Sequence, residues 1–589
     1  MNSDDSDYVP RKCVTQWCRL CRFRLMKDDF IVIATEAGHT DRFCYRNLVD
    51  HRDPYLDLIL LPCTLPCFHS HVMTDGMAAS YHWSCFAETP FPPSLSLVKA
   101  TEYSFEPLER TQRQREIAIS RKIRDRLSSE YGTLPLEIWS MVAEYLISEY
   151  TIIADQECWL GRRSSSRRLD ISKGISARYV YIDGVRYIAD LSNTHEASDD
   201  RILEDKTEPT IDTVYALEDH LGLRQILFDT SGNPCDLSKY TRKPGMWWHT
   251  IKVTDGILQT TSDGLKLRKV APSTEDERAW LTSWSTCWST PIARADIRLL
   301  RFSSLISQGR PRVPLDIRMA ALEINEPTIT GYSACWTNHL VGLHAHYEGD
   351  LSFYRDYPTR HENTVWIYFP IHPGEFITEI WRRRHSRARD ISFMLRTNTG
   401  RHATLGMYCT GYLPPWAQVA TLTNSPTRVY FCNSTHGIAK LATKRQPINQ
   451  ASLPQERAPY QSPPQGTFFY SGASLADVVK IIPCRGKYGS GPRIIGLLIQ
   501  YRNGDRTSVG QVRFDCLDTE LIVENFPELC LWYRQTPSGN IYITRLARFP
   551  PGGDGPYRGL NLRWEGYLEW WFSHEECSIH YNPNPLLSA

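Results

Sequence analysis

At 589 residues the chain is too long for one hydrophobic core and is expected to divide into several domains. Lys and Arg number 67 against 66 Asp and Glu, a net charge of +1, so no strong field recruits nucleic acid or another polyanion. A content of 41% hydrophobic and 11% aromatic residues, with 23% charged, excludes wholesale disorder.

The first segment, Met1 to Asp7, is acidic and polar, where a secretory leader carries positive charge followed by an apolar core. The chain is therefore expected inside the cell, in the cytoplasm and/or nucleus. Seven of the 17 cysteines crowd into the first 85 residues, and in a reducing compartment such clustering points to metal ligands before disulfides. Cys18-Arg19-Leu20-Cys21 is a C-x-x-C pair and His82-Trp83-Ser84-Cys85 an H-x-x-C pair, each placing two soft donors at one corner of a tetrahedral site. Cys18, Cys21, His82 and Cys85 thus predict a structural zinc ion in a module over residues 1–100. A hairpin from Phe23 to Ala34, turning at Lys27-Asp28-Asp29, is expected after the first pair. Cys44, Cys63, Cys67, His69 and His71 lie between the pairs, enough for a second site or a substitute ligand; buried free thiols are the bland alternative. A cross-braced RING fails, because there is one C-x-x-C and the cysteine after Cys85 is Cys158. The longest apolar stretch, Leu56 to Phe68, is too short to span a bilayer and is broken by Asp57, Pro62 and Pro66.

Beyond the turn-forming run Thr89 to Pro93, residues 105–160 read as helical. Ile119, Ile123 and Leu127 recur at four-residue steps within an Arg-rich stretch free of Gly and Pro. After Gly132, Leu134, Ile138, Val142 and Leu146 form an apolar stripe, broadened by Trp139 and Ala143, while Glu137, Ser140 and Glu144 stay polar. Pro135 suits the first turn of that helix. Periodicity alone is equally served by a helix packed on its own chain.

Past Tyr150 short alternating runs are punctuated by Asp183-Gly184, Asp263-Gly264 and Asn503-Gly504, which are hairpin signals. Mainly antiparallel, sandwich-like β structure is expected over residues 161–442 and 467–589, with a Pro/Gln-rich loop at 443–466 and an acidic loop from Glu196 to Asp212. Trp247-Trp248, Trp288 and Trp570-Trp571 suit either a core or, in a carbohydrate-binding alternative, stacking on sugar faces. His574, Cys577 and His580 lack a fourth ligand nearby, and the Arg382 to Arg389 cluster reads as a solvated hairpin face. No G-x-S-x-G, G-x-x-x-x-G-K, G-x-G-x-x-G or H-E-x-x-H occurs, so a non-catalytic protein is expected.

The string from Leu134 to Leu146, L-P-x-E-I-W-x-x-V-A-x-x-L, resembles the opening helix of the F-box, by which substrate receptors dock onto the adaptor of SCF ubiquitin ligases. The order of a Cys/His segment, a basic helix, this helix and a β-rich C-terminal region is similar to a group of large fungal F-box-type proteins. The resemblance implies that Leu134, Pro135, Ile138, Trp139, Val142 and Leu146 divide between the adaptor groove and the module's own core. It also implies that two more helices follow Leu146. The expected architecture is multidomain α+β: a small zinc-stabilised module, a short F-box-like helical segment (134–146 within 105–160), and a large β region that binds an unknown protein substrate. No membrane contact is implied.

Overall fold

A computed structural model describes residues 9–35, 38–50, 58–63, 77–87, 95–159, 162–196, 199–204, 211–230, 235–273, 286–304, 317–337, 339–356, 364–384, 391–408, 415–432, 437–438, 440–445, 460, 468–488, 491–525, 527–535, 541–550, 552, 556–574 and 576–584. The fold is mixed α+β, and the chain divides into two compact units: Met1–Arg298 with Gln308–Arg318, and Leu299–Ser307 with Met319–Ala589.

The first unit opens with strands β1 (Arg11–Thr15), β2 (Phe30–Thr35), β3 (Gly38–His39), β4 (Phe43–Cys44), β5 (Ile59–Cys63) and β6 (Met77–His82). They form one sheet in the order β3-β2-β6-β1-β5, with β4 beside β2; β1 runs parallel to β5 and β6. The hairpin expected over Phe23 to Ala34 does not form. Arg24 bridges Trp17 instead, and β2 pairs with β6. Ile31, Val32 and Ile33 are consecutive and all fully buried, so both faces of β2 need cover, which an isolated hairpin cannot supply.

Five helices follow: α1 (Trp83–Ala87), α2 (Leu95–Thr101), α3 (Glu109–Tyr131), α4 (Leu136–Tyr145) and α5 (Ile147–Trp159). Helix α3 stops at Gly132, whose left-handed φ of 46° lets its N–H donate to Ser128 O at 3.1 Å. Ile119 and Ile123 of α3 then close on Ala143 of α4, with Leu127, Ile147, Tyr150 and Phe23 packed around them.

All three dipeptide hairpins form. Ile175–Ile182 pairs with Val185–Ser192 across Asp183-Gly184, Ile257–Ser262 with Leu267–Pro272 across Asp263-Gly264, and Gly491–Tyr501 with Arg506–Gly510 across Asn503-Gly504. Asp183 and Gly184 both have positive φ, 52° and 80°, as a tight primed turn requires. In the first unit, Leu169, Ile175, Ile188, Val214, Ile251 and Leu258 lie in one shared core. Part of the expected acidic loop is strand: Asp200–Leu203 pairs with Ile175–Ile182 because Leu203 reaches that core.

The second unit holds a three-stranded sheet (Leu340–His346, Gly331–Trp336, Val365–Pro370), a four-stranded sheet (His402–Leu405, Ile391–Thr397, Ile377–Arg384, Ala417–Thr421) and a larger sheet built on Val478–Tyr488 and Gly491–Tyr501. The Pro/Gln-rich loop lies outside the described residues beyond Arg445, Tyr460 apart. Trp247, Trp248, Trp288, Trp570 and Trp571 are core residues, and buried rings cannot stack on a sugar. Among the described residues no helix is long and apolar enough to cross a membrane.

His220 illustrates how this packing sets pH sensitivity. Its ring meets Tyr103 edge-on at 4.8 Å, and burial pulls its pKa from 6.5 down to about 4. Between those values the unfolded chain binds a proton that the folded chain refuses, so stability falls as pH drops through 6.5 and levels off near 4. The loss amounts to about 3 kcal/mol. Denaturant titrations from pH 7 to 4 should record it, and His220→Gln should flatten that slope by one proton.

Candidate metal centre and docking helix

Cys18 to Phe23 fold into a tight knuckle: Cys18 N donates to Phe23 O at 2.9 Å and Arg22 N to Cys18 O at 2.8 Å. The knuckle is fastened to β6, since Arg19 N donates to Ser80 O at 2.9 Å and Ser80 Oγ donates to Trp17 O at 2.9 Å. His82 ends β6 and Cys85 lies in α1, three residues on, so the strand-to-helix junction turns both toward the knuckle.

One donor atom from each of Cys18, Cys21, His82 and Cys85 lies within 4.8 Å of the others. His82 Nδ1 is 3.3 Å from Cys21 Sγ and 3.7 Å from Cys85 Sγ, and His82 N–H points to Cys18 Sγ at 3.4 Å. The other ring nitrogen, Nε2, sits 3.3 Å from Asp29 Oδ2, a carboxylate placed to fix the imidazole's orientation. Asp29 is itself held, accepting from Met26 N at 2.6 Å.

The cluster's charge is strongly interdependent. Burial resists ionisation of Cys18, yet hydrogen bonds from Cys21, Cys85 and His82 outweigh it and draw the thiol well below its ordinary range. Burial likewise opposes a charged His82, but the bonds to Cys18 and Cys21 push it up to about 11. Cys21 is raised by burial, and Cys85 chiefly by its bonds to Cys18 and Cys21. Four such groups can hold a metal ion, which would displace the shared protons. The three cysteines also belong to the core of the N-terminal module, beside Val14, Ile31 and Leu60.

Of the other cysteines and histidines in this stretch, Cys67, His69 and His71 lie outside the described residues; Cys63 is buried in β5, and Cys44 Sγ donates to Lys27 O at 3.2 Å. Cys577 is a buried strand residue, its Sγ directed at Ile541 O at 3.3 Å.

The residues behind the knuckle had no sequence signal. Arg22 follows Cys21 in a left-handed conformation (φ 63°) and is only 2% exposed. Its guanidinium pairs with Asp155 of α5 and with Asp183 Oδ2 at 2.7 Å. Arg115 of α3 completes the group, donating to Asp183 Oδ2 at 2.6 Å and to Cys21 O at 2.8 Å. Arg115 and Arg22 outweigh burial to hold Asp183 well below the usual carboxylate range, while burial raises Asp155. Asp263, in the next hairpin turn, plays a similar part: it pairs with buried Lys266, whose Nζ donates to Ala100 O of α2 at 2.6 Å. Burial pushes Lys266 down to about 7.

On α4 and the residues flanking it, the six residues singled out in the sequence separate. Trp139 is buried, Val142 half-buried, and Leu134, Pro135, Ile138 and Leu146 are exposed. Leu136, Met141 and Tyr145 join the exposed set, with Met141 59% and Tyr145 84% accessible. The inward face is therefore Trp139 and Ala143, while the predicted apolar stripe stands largely open to solvent. Helix α3 precedes α4 and α5 follows it, and the next described element is the strand Ser165–Asp170.

The geometry defines a β-rich, mixed α+β protein with a Cys/His cluster able to hold a metal ion. No family model matches the chain, and no curated protein matches it.

Proposed function

We propose that this protein is a non-catalytic, intracellular F-box-like substrate receptor. Helix α4 docks onto the adaptor of an SCF-type ubiquitin ligase, the β-rich region binds the protein to be modified, and a zinc ion supports the N-terminal module. The observation that carries the docking reading is the apolar outer face of α4. Leu134, Leu136, Ile138, Met141 and Leu146 stay in water on the helix that bears the L-P-x-E-I-W string. Exposed apolar patches of this kind mark protein interaction sites. The helix order differs from the family pattern, with α3 before α4 and, among the described residues, the strand Ser165–Asp170 next after α5, so α3 supplies the support a later helix would give.

Zinc is the ion that suits the donor set. A tetrahedral zinc with bonds near 2.3 Å to sulfur and about 2.05 Å to nitrogen separates a nitrogen from a sulfur ligand by about 3.6 Å, and the His82 Nδ1 contacts of 3.3 and 3.7 Å to Cys21 and Cys85 fall on either side of that spacing. Three thiolates and one imidazole leave no open position, which assigns the ion a structural role. A carboxylate behind the imidazole, here Asp29, is the usual outer support of such a ligand.

The docking test is co-purification with the adaptor. Ile138→Asp and Val142→Asp should each abolish capture, and Leu134→Asp should weaken it. Leu134 and Ile138 are exposed, so their variants should keep wild-type stability to within about 0.5 kcal/mol. Adaptor retained by both Ile138→Asp and Val142→Asp would overturn the proposal.

A further inference from the structure

A second side-chain cluster lies in the C-terminal unit, apart from the docking reading and independent of it. Strand Leu340–His346 puts alternate residues on one face, so His344 and His346 stand side by side, their rings 4.7 Å apart. The chain then turns, with Gly349 at φ 74° and Asp350 N donating to Tyr347 O at 3.1 Å, which returns the Asp350 carboxylate to the two imidazoles. One donor atom from each of His344, His346 and Asp350 lies within 4.8 Å of the other two.

The three side chains are individually oriented. His344 Nε2 is 2.7 Å from Asp350 Oδ2, and Phe353 stacks on the His344 ring at 4.7 Å. Ser352 N donates to Asp350 Oδ1 at 2.8 Å, leaving Oδ2 turned to the rings. His346 is fully buried, with Nε2 2.8 Å from Ser333 Oγ and Tyr354 stacked on its face. Among the described residues its Nδ1 has no hydrogen-bond partner. When Nε2–H donates to Ser333, Nδ1 presents a bare lone pair. A buried polar atom left in that state is destabilising, and a cation would use it.

We propose that His344, His346 and Asp350 form a second metal site, for a divalent first-row cation suited to nitrogen and oxygen donors such as manganese(II), iron(II) or cobalt(II). Two imidazoles and one carboxylate occupy one side of such an ion and leave its other positions open. The partial exposure of His344 (13%) and Asp350 (21%) gives solvent access to those positions. Ser333 and Ser352 supply the outer contacts that hold the ligands in place. With no thiolate among its donors, the site is distinguishable from the Cys18–Cys85 cluster on the same chain.

The full-length chain, stripped by chelator, is titrated with manganese(II), the free ion being followed by electron paramagnetic resonance, and separately with cobalt(II) by absorption. One bound manganese equivalent is expected, and two cobalt equivalents, of which one lacks thiolate-to-cobalt charge-transfer bands. Asp350→Asn and His344→Gln, checked for fold by circular dichroism, should weaken manganese binding by at least about tenfold and leave the thiolate bands unchanged. The proposal is overturned if the wild-type chain binds no manganese and one thiolate-ligated cobalt alone, or if both variants bind manganese as the wild type does.

Discussion

Removing the proposed zinc from the N-terminal cluster is expected to unfold the module formed by β1 to β6. Cys18, Cys21 and Cys85 are buried among Val14, Ile31, Leu60 and Val98, so the ligands are themselves core residues. Without the ion, fully buried Cys18 is drawn toward its charged form beside a half-buried His82 whose protonation the cluster favours, and burial opposes both charges. Structural zinc contributes on the order of 10 kcal/mol to folding in small metal-dependent modules, more than the whole stability of many domains. Cys18→Ser and Cys85→Ser should therefore abolish the module's cooperative unfolding transition and release one equivalent of zinc by elemental analysis. Cys13→Ser is the control. Cys13 is equally buried in β1 but lies outside the cluster, so its loss should cost about 1–3 kcal/mol and leave the metal bound. Chelated protein with an unchanged unfolding midpoint would refute the structural role.

Arg22→Gly is expected to destabilise the first unit by about 3–5 kcal/mol, the range for removing one partner of a buried ion pair. Glycine is the informative replacement. It relieves the left-handed backbone at φ 63°, which costs a non-glycine residue about 1–2 kcal/mol, so any loss of stability comes from the missing side chain, its charge and its buried packing, and not from backbone geometry. Two carboxylates, Asp155 and Asp183, would remain buried with Arg115 alone between them. The reading is a chemical denaturation midpoint, and a variant as stable as the wild type would disprove it. The same substitution should loosen α5, because Asp155 is anchored to the knuckle through Arg22. Hydrogen exchange across Ile147–Trp159 would report that directly.

How much of this was legible depends on the range of the interaction. The Cys and His pairs could be read because each is local, three residues apart in a knuckle or across a strand-to-helix junction, and two such pairs suffice for a tetrahedral cluster. The three dipeptide turns could be read for the same reason: Asp-Gly and Asn-Gly satisfy positive φ by themselves. The helix at Leu134 to Leu146 was visible from its period, but not which side of it faces inward. That was set by where α3 lies, since Ile119 and Ile123 take up Ala143 and leave Ile138 and Met141 outside. The strand pairing of Phe30–Thr35 differs from the expected hairpin for a similar reason. An apolar run states that both faces need cover without stating which strands supply it.

Other features carried no local mark. Arg22 pairs with residues 133 and 161 positions away, and nothing around Arg22 or Asp155 distinguishes either from a surface charge. His344-Ala345-His346 does carry a signal, alternate imidazoles on a strand, but it becomes a site once the Tyr347–Asp350 turn brings in the carboxylate and burial leaves His346 Nδ1 without a partner among the described residues.

By itself, then, the sequence determined the class of the fold, the positions of the three Asp-Gly and Asn-Gly hairpins, the four Cys and His donors and the existence of an amphipathic helix, because each follows from the backbone preferences and spacing of neighbouring residues. Tertiary structure alone decided which face of α4 meets water, how the knuckle is tied to α3, α5 and the Asp183 turn, and where His344, His346 and Asp350 converge. Those outcomes rest on burial and on charges brought together from distant segments, and both are properties of the packed chain.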